Sequence, residues 1–296
     1  MSIWEAIILG LIQGITEILP VSSTAHIILF TQLFGEKPDI SFNVIMNFGS
    51  WIAIMIYFYD IWLDLVVGTL NFVKITIYTW LKENNKSKLK NKLPRFSRMT
   101  VDYGKNEFYY NSKKQFILGF NLILATIPVL VIAFFIKDFL NKNLENNFMI
   151  GVSLILGGGL LYIAEIISKQ KYNIENIGFG KIILIGFGQV MSLIPGFSRS
   201  GSTIMASLFV GLKRKDAATF AFLLGAPVIL IATIVEIPSF INDYQMSLEV
   251  ILSFMFSIIG TLVSIHILYK FIQKQSFLVF VIYRFILGVF LIINSI

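Results

Sequence analysis

Two polar stretches in this apolar chain contain the residue types that could carry out chemistry. The first, QGITEILPVSSTAH, holds Glu17 and His26, and the second, PGFSRSGST, places Arg199 among four hydroxyl side chains. The planar fork of arginine fits phosphate oxygens, and a helix N-terminus attracts anions. A glutamate and a histidine suit proton transfer or the activation of a nucleophile. If the two stretches meet, they predict a site for a phosphorylated ligand that lives in the membrane.

Each stretch also predicts a break between two helices. Gln13 and Glu17 are four residues apart and share one helical face, and Pro20 then ends that helix. Gly196 allows a tight backbone turn in the second stretch. Hydroxyls that can cap the following helices or donate to a ligand stand at Ser22, Ser23 and Thr24 and at Ser198, Ser200, Ser202 and Thr203.

Structural explanations for the charged residues remain open at this point. Arg199 and Glu17 could form a buried pair that only ties two segments together, and His26 could be a core histidine with satisfied hydrogen bonds. The pair Tyr283–Arg284 could reach a lipid headgroup. Four ionisable residues in apolar segments have no motif around them, and we interpret them as structural: Glu165, Glu236, His266 and Arg284.

The composition indicates a single integral membrane domain over residues 1–296. The chain is 56% hydrophobic and 14% charged, whereas soluble domains average about 25% charged residues. It contains no cysteine, which excludes disulfides, thiolate metal sites and cysteine nucleophiles. No basic residue precedes Lys37, so we expect no cleaved signal peptide.

The net charge of +7 arises in one segment. Residues 82–115 hold ten Lys and Arg residues against three acidic ones. A basic run can bind nucleic acid, but beside membrane spans it is typical of a cytoplasmic loop. We therefore predict that this loop is cytoplasmic and that the chain has no nucleic-acid partner.

The apolar segments predict six transmembrane helices and two re-entrant helix–loop–helix hairpins. The hairpins cover 3–34 and 181–212, because proline and hydroxyl-rich sequence cuts each into halves of about 10–15 residues. The mixed segment 61–81 is expected to be an interfacial helix. The six spans are 42–60, 116–136, 149–167, 218–238, 248–270 and 277–294.

This topology predicts an inverted repeat. With the basic loop inside, cytoplasmic segments collect nineteen of the 24 Lys and Arg residues and outer segments collect three. The first repeat, about 1–167, and the second, about 181–296, each contain one hairpin followed by three spans. Because three is odd, the first hairpin enters from outside and the second from inside. Broken helices in such repeats meet near the bilayer midplane and form a site.

The two motifs resemble those of the bacterial undecaprenyl-diphosphatase family, the bacitracin-resistance phosphatases. QGITEILPVSSTAH is similar to the family pattern Glu/Gln-x-x-x-Glu followed by Pro-x-Ser-Ser-x-x-His, and PGFSRSGST matches Pro-Gly-x-Ser-Arg-Ser-x-x-Thr at every fixed position. The resemblance covers the whole chain. Departures are mild: Gln13 is the alternative at its position, Ala25 replaces a common glycine, and Asn47 replaces Gln or His. Glu17 is then the only acid of the first motif.

The resemblance implies hydrolysis of undecaprenyl diphosphate to the monophosphate, in a site that opens to the outer face of the bacterial plasma membrane. This reaction recycles the lipid carrier of peptidoglycan synthesis and implies bacitracin resistance. Arg199 would stabilise the transferred phosphoryl group, and either Ser23 or a water activated by Glu17 would attack. The implied catalytic residues are Glu17, Ser23, His26 and Arg199, and the implied substrate-binding residues are Gln13, Ser22, Gly196, Ser198, Ser200 and Thr203.

The resemblance also bears on cofactors and partners. A divalent cation, Mg²⁺ or Ca²⁺, is compatible with it, with Glu17 as a candidate ligand, but the residues themselves do not require a metal. The expected partners are the bilayer and a membrane-embedded polyprenyl diphosphate, and a homodimer is left open. The alternative function is a transporter or flippase for an anionic lipid or solute, because inverted repeats with broken helices are also a transporter architecture.

Overall fold

The computed structural model describes residues 1–35, 40–84, 107–144, 146–243 and 246–295. Within these ranges the chain forms α-helices and short 3₁₀ turns but no β-strand, which confirms the prediction of an all-α protein. In chain order the helices are α1 Ile3–Ile18, α2 Ser23–Leu33, α3 Ile40–Tyr57, α4 Tyr59–Asn84, α5 Glu107–Leu144, α6 Asn147–Ile167, α7 Phe179–Val190, α8 Arg199–Phe209, α9 Arg214–Asp243, α10 Leu248–Ile272 and α11 Leu278–Ile293.

Five helical segments are long and apolar enough to cross a membrane: Tyr59–Leu81, Tyr109–Ile136, Asn147–Ile167, Arg214–Ile241 and Leu248–Ile272. Four of them coincide with predicted spans, and the other two predicted spans, 42–60 and 277–294, contain shorter apolar helices. The segment 61–81, which the sequence predicts to be interfacial, belongs to one continuous 26-residue helix that is long and apolar enough to cross, and its interfacial placement stays a prediction. The structure thus confirms a polytopic helical protein, and the number of spans stays a prediction.

Contacts divide the chain into two compact units, Met1–Tyr57 with Ile123–Ile296, and Phe58–Leu122. In the smaller unit, the ring of Phe72 on α4 stacks on that of Phe116 on α5, with centroids 4.8 Å apart. All residues of the predicted site lie in the larger unit. The basic loop 82–115 lies mainly outside the described residues, which omit 85–106.

Both predicted hairpins consist of two short helices with a break between them. In the first hairpin, α1 has 16 residues and α2 has 11. In the second, α7 has 12 residues and α8 has 11. At about 1.5 Å per residue, no one of these four helices reaches the ~30 Å of a hydrocarbon core. We call residues 19–22 the first break loop and residues 191–198 the second break loop.

Glycines allow each hairpin to press closely on a long helix. A Cβ on Gly10 or Gly14 of α1 would overlap the backbone of α10, and one on Gly186 of α7 would lie 2.6 Å from the Ala125 carbonyl of α5. Thr261 of α10 also donates its hydroxyl to the Gly14 carbonyl at 3.2 Å. Such backbone approach is typical of helix packing in membranes, where small residues allow close contact. The hairpins are therefore held at fixed positions against α5 and α10.

Candidate active site

The first break loop ends at Ser22, which caps α2 in a strained backbone conformation. Ser22 has φ 72°, and its hydroxyl accepts the N–H of Ala25 at 3.4 Å. His26 holds the Ser22 carbonyl, to which its Nδ1–H donates at 2.7 Å. The other ring nitrogen, Nε2, lies 2.6 Å from the hydroxyl of Tyr283 on α11, which donates to it when the ring is neutral. His26 therefore ties the first break loop to the last helix.

The second break loop reaches its cap in the same way. Ser198 has φ 70° and accepts the N–H of Gly201 through its hydroxyl at 3.1 Å. Gly196 has φ 96°, and a Cβ there would lie 2.6 Å from the Ile150 carbonyl oxygen. Glycine is required at this position both by the backbone angle and by the lack of space. The turn delivers Arg199 as the first residue of α8.

The two hairpins meet through an ion pair between α1 and α8. Arg199 Nη2 lies 2.7 Å from Glu17 Oε1, and the two side chains are only 12% and 10% exposed. A second contact joins the two hairpins, because the Ser200 side-chain hydroxyl donates to the Leu19 backbone carbonyl at 3.0 Å. Isolated charges in an apolar interior are costly, so each member of the pair stabilises the other. The structure brings together the two stretches that the sequence placed 182 residues apart.

The second oxygen of Glu17 accepts two further hydrogen bonds. Ser23 donates its hydroxyl to Oε2 at 2.7 Å, and Gln13 donates through Nε2 at 3.0 Å. Gln13 is itself oriented by Asn47 of α3, whose Oδ1 lies 2.6 Å from the same nitrogen. The carboxylate is thus fixed by three neighbours, and the Ser23 hydroxyl points at a potential base.

A cavity of about 240 Å³ opens at this network. Its polar lining comes from the ion pair, from Asn47, from the start of α2 with its cap, and from the second break loop. These residues are Glu17, Ser22, Ser23, Thr24, Asn47, Ser192, Gly196, Ser198 and Arg199. The lining also includes apolar side chains, among them Val129 of α5 and three residues of α9, Val228, Ile229 and Ala232. Both α2 and α8 begin here, so their N-termini add to the attraction of an anion.

The structure separates the predicted site residues into two groups. Glu17, Ser22, Ser23, Gly196, Ser198 and Arg199 line the cavity. Gln13, His26, Ser200 and Thr203 stand behind its wall and contact the lining residues. His26 is 5% exposed, and both of its ring nitrogens are already bonded. Its predicted acid–base role stays a prediction, while its observed contacts orient the first break loop.

Sequence reasoning did not find three parts of this arrangement. Asn47 appeared only as a departure from a family pattern, yet it lines the cavity and orients Gln13. Gly225 of α9 lies under the guanidinium of Arg199, where a Cβ would overlap Nη1. Tyr283 and Arg284 of α11 reach the break loops. The signal available was a Tyr–Arg pair within an apolar helix, because an intramembrane charge is costly without a role.

The donor set fits a divalent cation that is held together with the substrate. The described residues contain no group of three or more His, Cys, Asp or Glu side chains that could hold a metal. The cavity does offer neighbouring oxygen atoms from one carboxylate, one hydroxyl and one amide, on Glu17, Ser23 and Asn47. Magnesium is commonly held by one or two carboxylates plus substrate phosphates, which fits this set.

Comparison with known proteins agrees with the two motifs. The family model described as bacitracin resistance protein BacA matches residues 6–290. The chain is 32% identical to a protein named undecaprenyl-diphosphatase from Desulforudis audaxviator (strain MP104C), over 99% of this chain and 98% of that protein. It is 35% identical to one of the same name from Trichodesmium erythraeum (strain IMS101), over 100% and 87% respectively. The chain therefore belongs to the bacitracin resistance protein BacA family.

Proposed function

We propose that this chain hydrolyses undecaprenyl diphosphate to undecaprenyl phosphate and orthophosphate, and so recycles the lipid carrier of peptidoglycan synthesis. Its relatives carry the name undecaprenyl-diphosphatase over nearly the whole chain. The observation that carries the proposal is the Glu17–Arg199 pair with Ser23, in a cavity whose lining also includes apolar residues of α5 and α9. A prenyl diphosphate has the matching distribution of an anionic head and a hydrocarbon tail.

Arg199 acts on the terminal phosphoryl group. Its Nη2 is paired with Glu17, while its Nη1 has no hydrogen-bond partner among the described residues. A guanidinium held in this way can neutralise charge on the equatorial oxygens as the bridging P–O bond breaks. The N–H groups at the starts of α2 and α8 provide further donors to the diphosphate.

Glu17 and Ser23 supply the nucleophile. In one route the Ser23 oxygen attacks the terminal phosphorus, Glu17 takes the proton, undecaprenyl phosphate leaves, and water later cleaves the phosphoserine. In the other route a water replaces the hydroxyl as the nucleophile and Glu17 again takes its proton. Both routes use Glu17 as the base, and the first uses the observed 2.7 Å contact between the Ser23 hydroxyl and Glu17 Oε2. A cation bound to Glu17, Ser23 and Asn47 would add charge neutralisation to either route.

The site belongs to an inverted repeat of two hairpins and six spans at the outer face of the plasma membrane. Helix contacts support the repeat. Gly10 of α1 and Gly186 of α7 each precede a glutamine by three residues, and each approaches the backbone of a long helix. Gly151 of α6 and Gly288 of α11 approach each other's carbonyl oxygen reciprocally, as expected for two elements related by a two-fold axis.

The activity is tested by incubating purified protein with undecaprenyl diphosphate and measuring orthophosphate, with and without a chelator. We expect phosphate release by the wild type, and loss on chelation would show that a cation takes part. The Glu17→Gln variant is the matched negative control. Absence of phosphate release from a folded, monodisperse preparation would contradict the proposal, and proteoliposome flux of the intact lipid would then favour the transporter alternative.

The topology is tested by cysteine labelling, since the natural chain has no cysteine. A cysteine near Asn91, which lies outside the described residues, should react only with reagents that cross the membrane. A cysteine near Asp243 should be blocked by impermeant reagents. Labelling near Asn91 from outside in intact cells would overturn the inverted-hairpin topology.

A further inference from the structure

Arg284 of α11 is completely buried and lies outside the cavity lining. No carboxylate pairs with it in the part of the chain that the structure describes. A buried guanidinium without a counter-ion is unusual, because desolvation of a charge costs several kcal/mol unless hydrogen bonds replace the lost water. The hydrogen bonds of Arg284 should therefore indicate the role of its buried charge.

All four hydrogen bonds of Arg284 go to backbone carbonyl oxygens. Nη1 donates to Pro20 of the first break loop at 3.3 Å, and Nη2 donates to Gly196 of the second at 3.2 Å. Nε donates to Leu154 of α6 at 3.1 Å, and Nη2 also approaches the Ser153 carbonyl at 3.5 Å. One planar group thus joins both break loops to the same helix.

The rest of the structure is shaped around this guanidinium. A Cβ on Gly157 of α6 would overlap Nη2, and one on Gly201 of α8 would lie 2.9 Å from Nη1. The adjacent residue, Tyr283, holds the first break loop as well, through His26 and the Ser22 carbonyl. Arg284 therefore contacts the backbone two residues before each cap serine, and Tyr283 reaches the first cap serine through His26.

We propose that Arg284 is a positioning residue that sets the distance between the two break loops, and hence between Arg199 and the Glu17–Ser23 pair. The proposal rests on the proposed phosphatase function for its kinetic readout. Arg284 touches neither the cavity nor the ion pair, so its effect passes through the carbonyls of Pro20 and Gly196. Lysine cannot replace it, because an ammonium has three donors and lacks the rigid fork that reaches several carbonyls at once.

The test uses Arg284→Lys and Gly157→Ala, which disturb the same contact from opposite sides. Misplacement of reacting groups by about 1 Å can cost roughly 10²-fold in rate. We expect each variant to lower kcat for phosphate release by about that factor, with KM changed only a few-fold. Gly159→Ala is the matched control, since nothing lies within 4 Å of a Cβ at that position on the same helix.

Two measurements separate positioning from a general loss of structure. Hydrogen exchange should rise in peptides covering residues 19–24 and 194–199, while exchange in α10 stays at the wild-type level. Combining either variant with Glu17→Gln should add little to the loss from Glu17→Gln alone, because both act on one catalytic unit. If Arg284→Lys does not fold, the same two measurements on Gly157→Ala test the positioning role of Arg284.

Folded Gly157→Ala with wild-type kcat and wild-type exchange in both break loops would overturn the proposal. Increased exchange throughout the molecule, or losses that multiply with Glu17→Gln, would assign Arg284 to global stability and overturn it too. Failure of the phosphatase proposal is recognised separately. In that case the wild type releases no phosphate, while the exchange experiment still tests the coupling of the two loops.

Discussion

The two hairpins share the same kind of cap and second helix but carry different chemistry. In each, a glutamine stands nine residues before the cap serine. The first hairpin has Gln13 before Ser22, and the second has Gln189 before Ser198. The two cap serines have φ of 72° and 70°, and each is followed by a helix of 11 residues. The same turn therefore presents the start of a helix to the cavity from two sides.

Two side-chain positions account for the different charges of the two hairpins at the cavity. Five residues before the cap, the first hairpin has Glu17 and the second has Leu193. Directly after the cap, the first has Ser23 and the second has Arg199. The first hairpin thus supplies the base and a hydroxyl, and the second supplies the cation. Neither is complete alone, which shows that a repeated backbone can hold one asymmetric site.

The largest loss of activity is expected from removing the charged side chain that each hairpin contributes to the Glu17–Arg199 ion pair. Glu17→Gln and Arg199→Ala should each lower kcat/KM for phosphate release by about 10³-fold or more, and the double variant should be scarcely worse than the poorer single variant. Glu5→Gln is the control, because Glu5 only caps α1. Losses that multiply in the double variant would mean that the hairpins work independently.

The second expected effect tests whether the second hairpin needs an arginine or only a charge. Arg199→Lys keeps the charge but loses the planar fork, so turnover should fall by about 10²–10³-fold with the fold intact. Arg214→Lys is the matched control, since Arg214 pairs with Glu165 away from the cavity. Near-wild-type turnover in Arg199→Lys would make Arg199 a structural counter-ion.

A smaller loss of activity is expected from a substitution beneath the Arg199 guanidinium. Gly225→Ala would place a Cβ on Nη1 and push the guanidinium away from its position. We expect a loss of kcat/KM of about 10²-fold, because the misplaced group still carries its charge. Gly180→Ala, at a position with nothing within 4 Å, should behave as wild type in the same assay. Unchanged kinetics in Gly225→Ala would show that Arg199 is free to move.

The smallest expected change is in unfolding temperature, and it tests whether the backbone at the two cap serines is equally strained. Ser198→Gly and Ser198→Ala both lose the hydroxyl cap, but only alanine must still adopt φ near 70° against its Cβ. The glycine variant should therefore unfold at the higher temperature, by an amount equivalent to about 1–2 kcal/mol, and the same order should hold at Ser22. Equal midpoints for the glycine and alanine variants would show that the backbone relaxes when the hydroxyl is lost.

Much of the candidate site could be predicted from local sequence. The proline and hydroxyl clusters indicated both breaks, and the costly charges Glu17 and Arg199 indicated that the two stretches meet. The resemblance to the undecaprenyl-diphosphatase family is confirmed by the family match over residues 6–290. Arg284 was interpreted as structural from the sequence, and its hydrogen-bond partners could not be predicted. They are carbonyl oxygens 88 to 264 residues away, and every residue carries such an atom.

The sequence by itself determined the all-helical membrane class, the two interrupted helices and the side chains able to act on a phosphate. These follow from hydropathy, from the missing N–H of proline and from the high cost of charge in an apolar segment. Only the tertiary structure decided which side chains face the cavity. It placed His26 behind the wall, brought Asn47 to the cavity and set Gly225 under the Arg199 guanidinium. These features depend on how close two helices approach, which glycine spacing permits but does not specify.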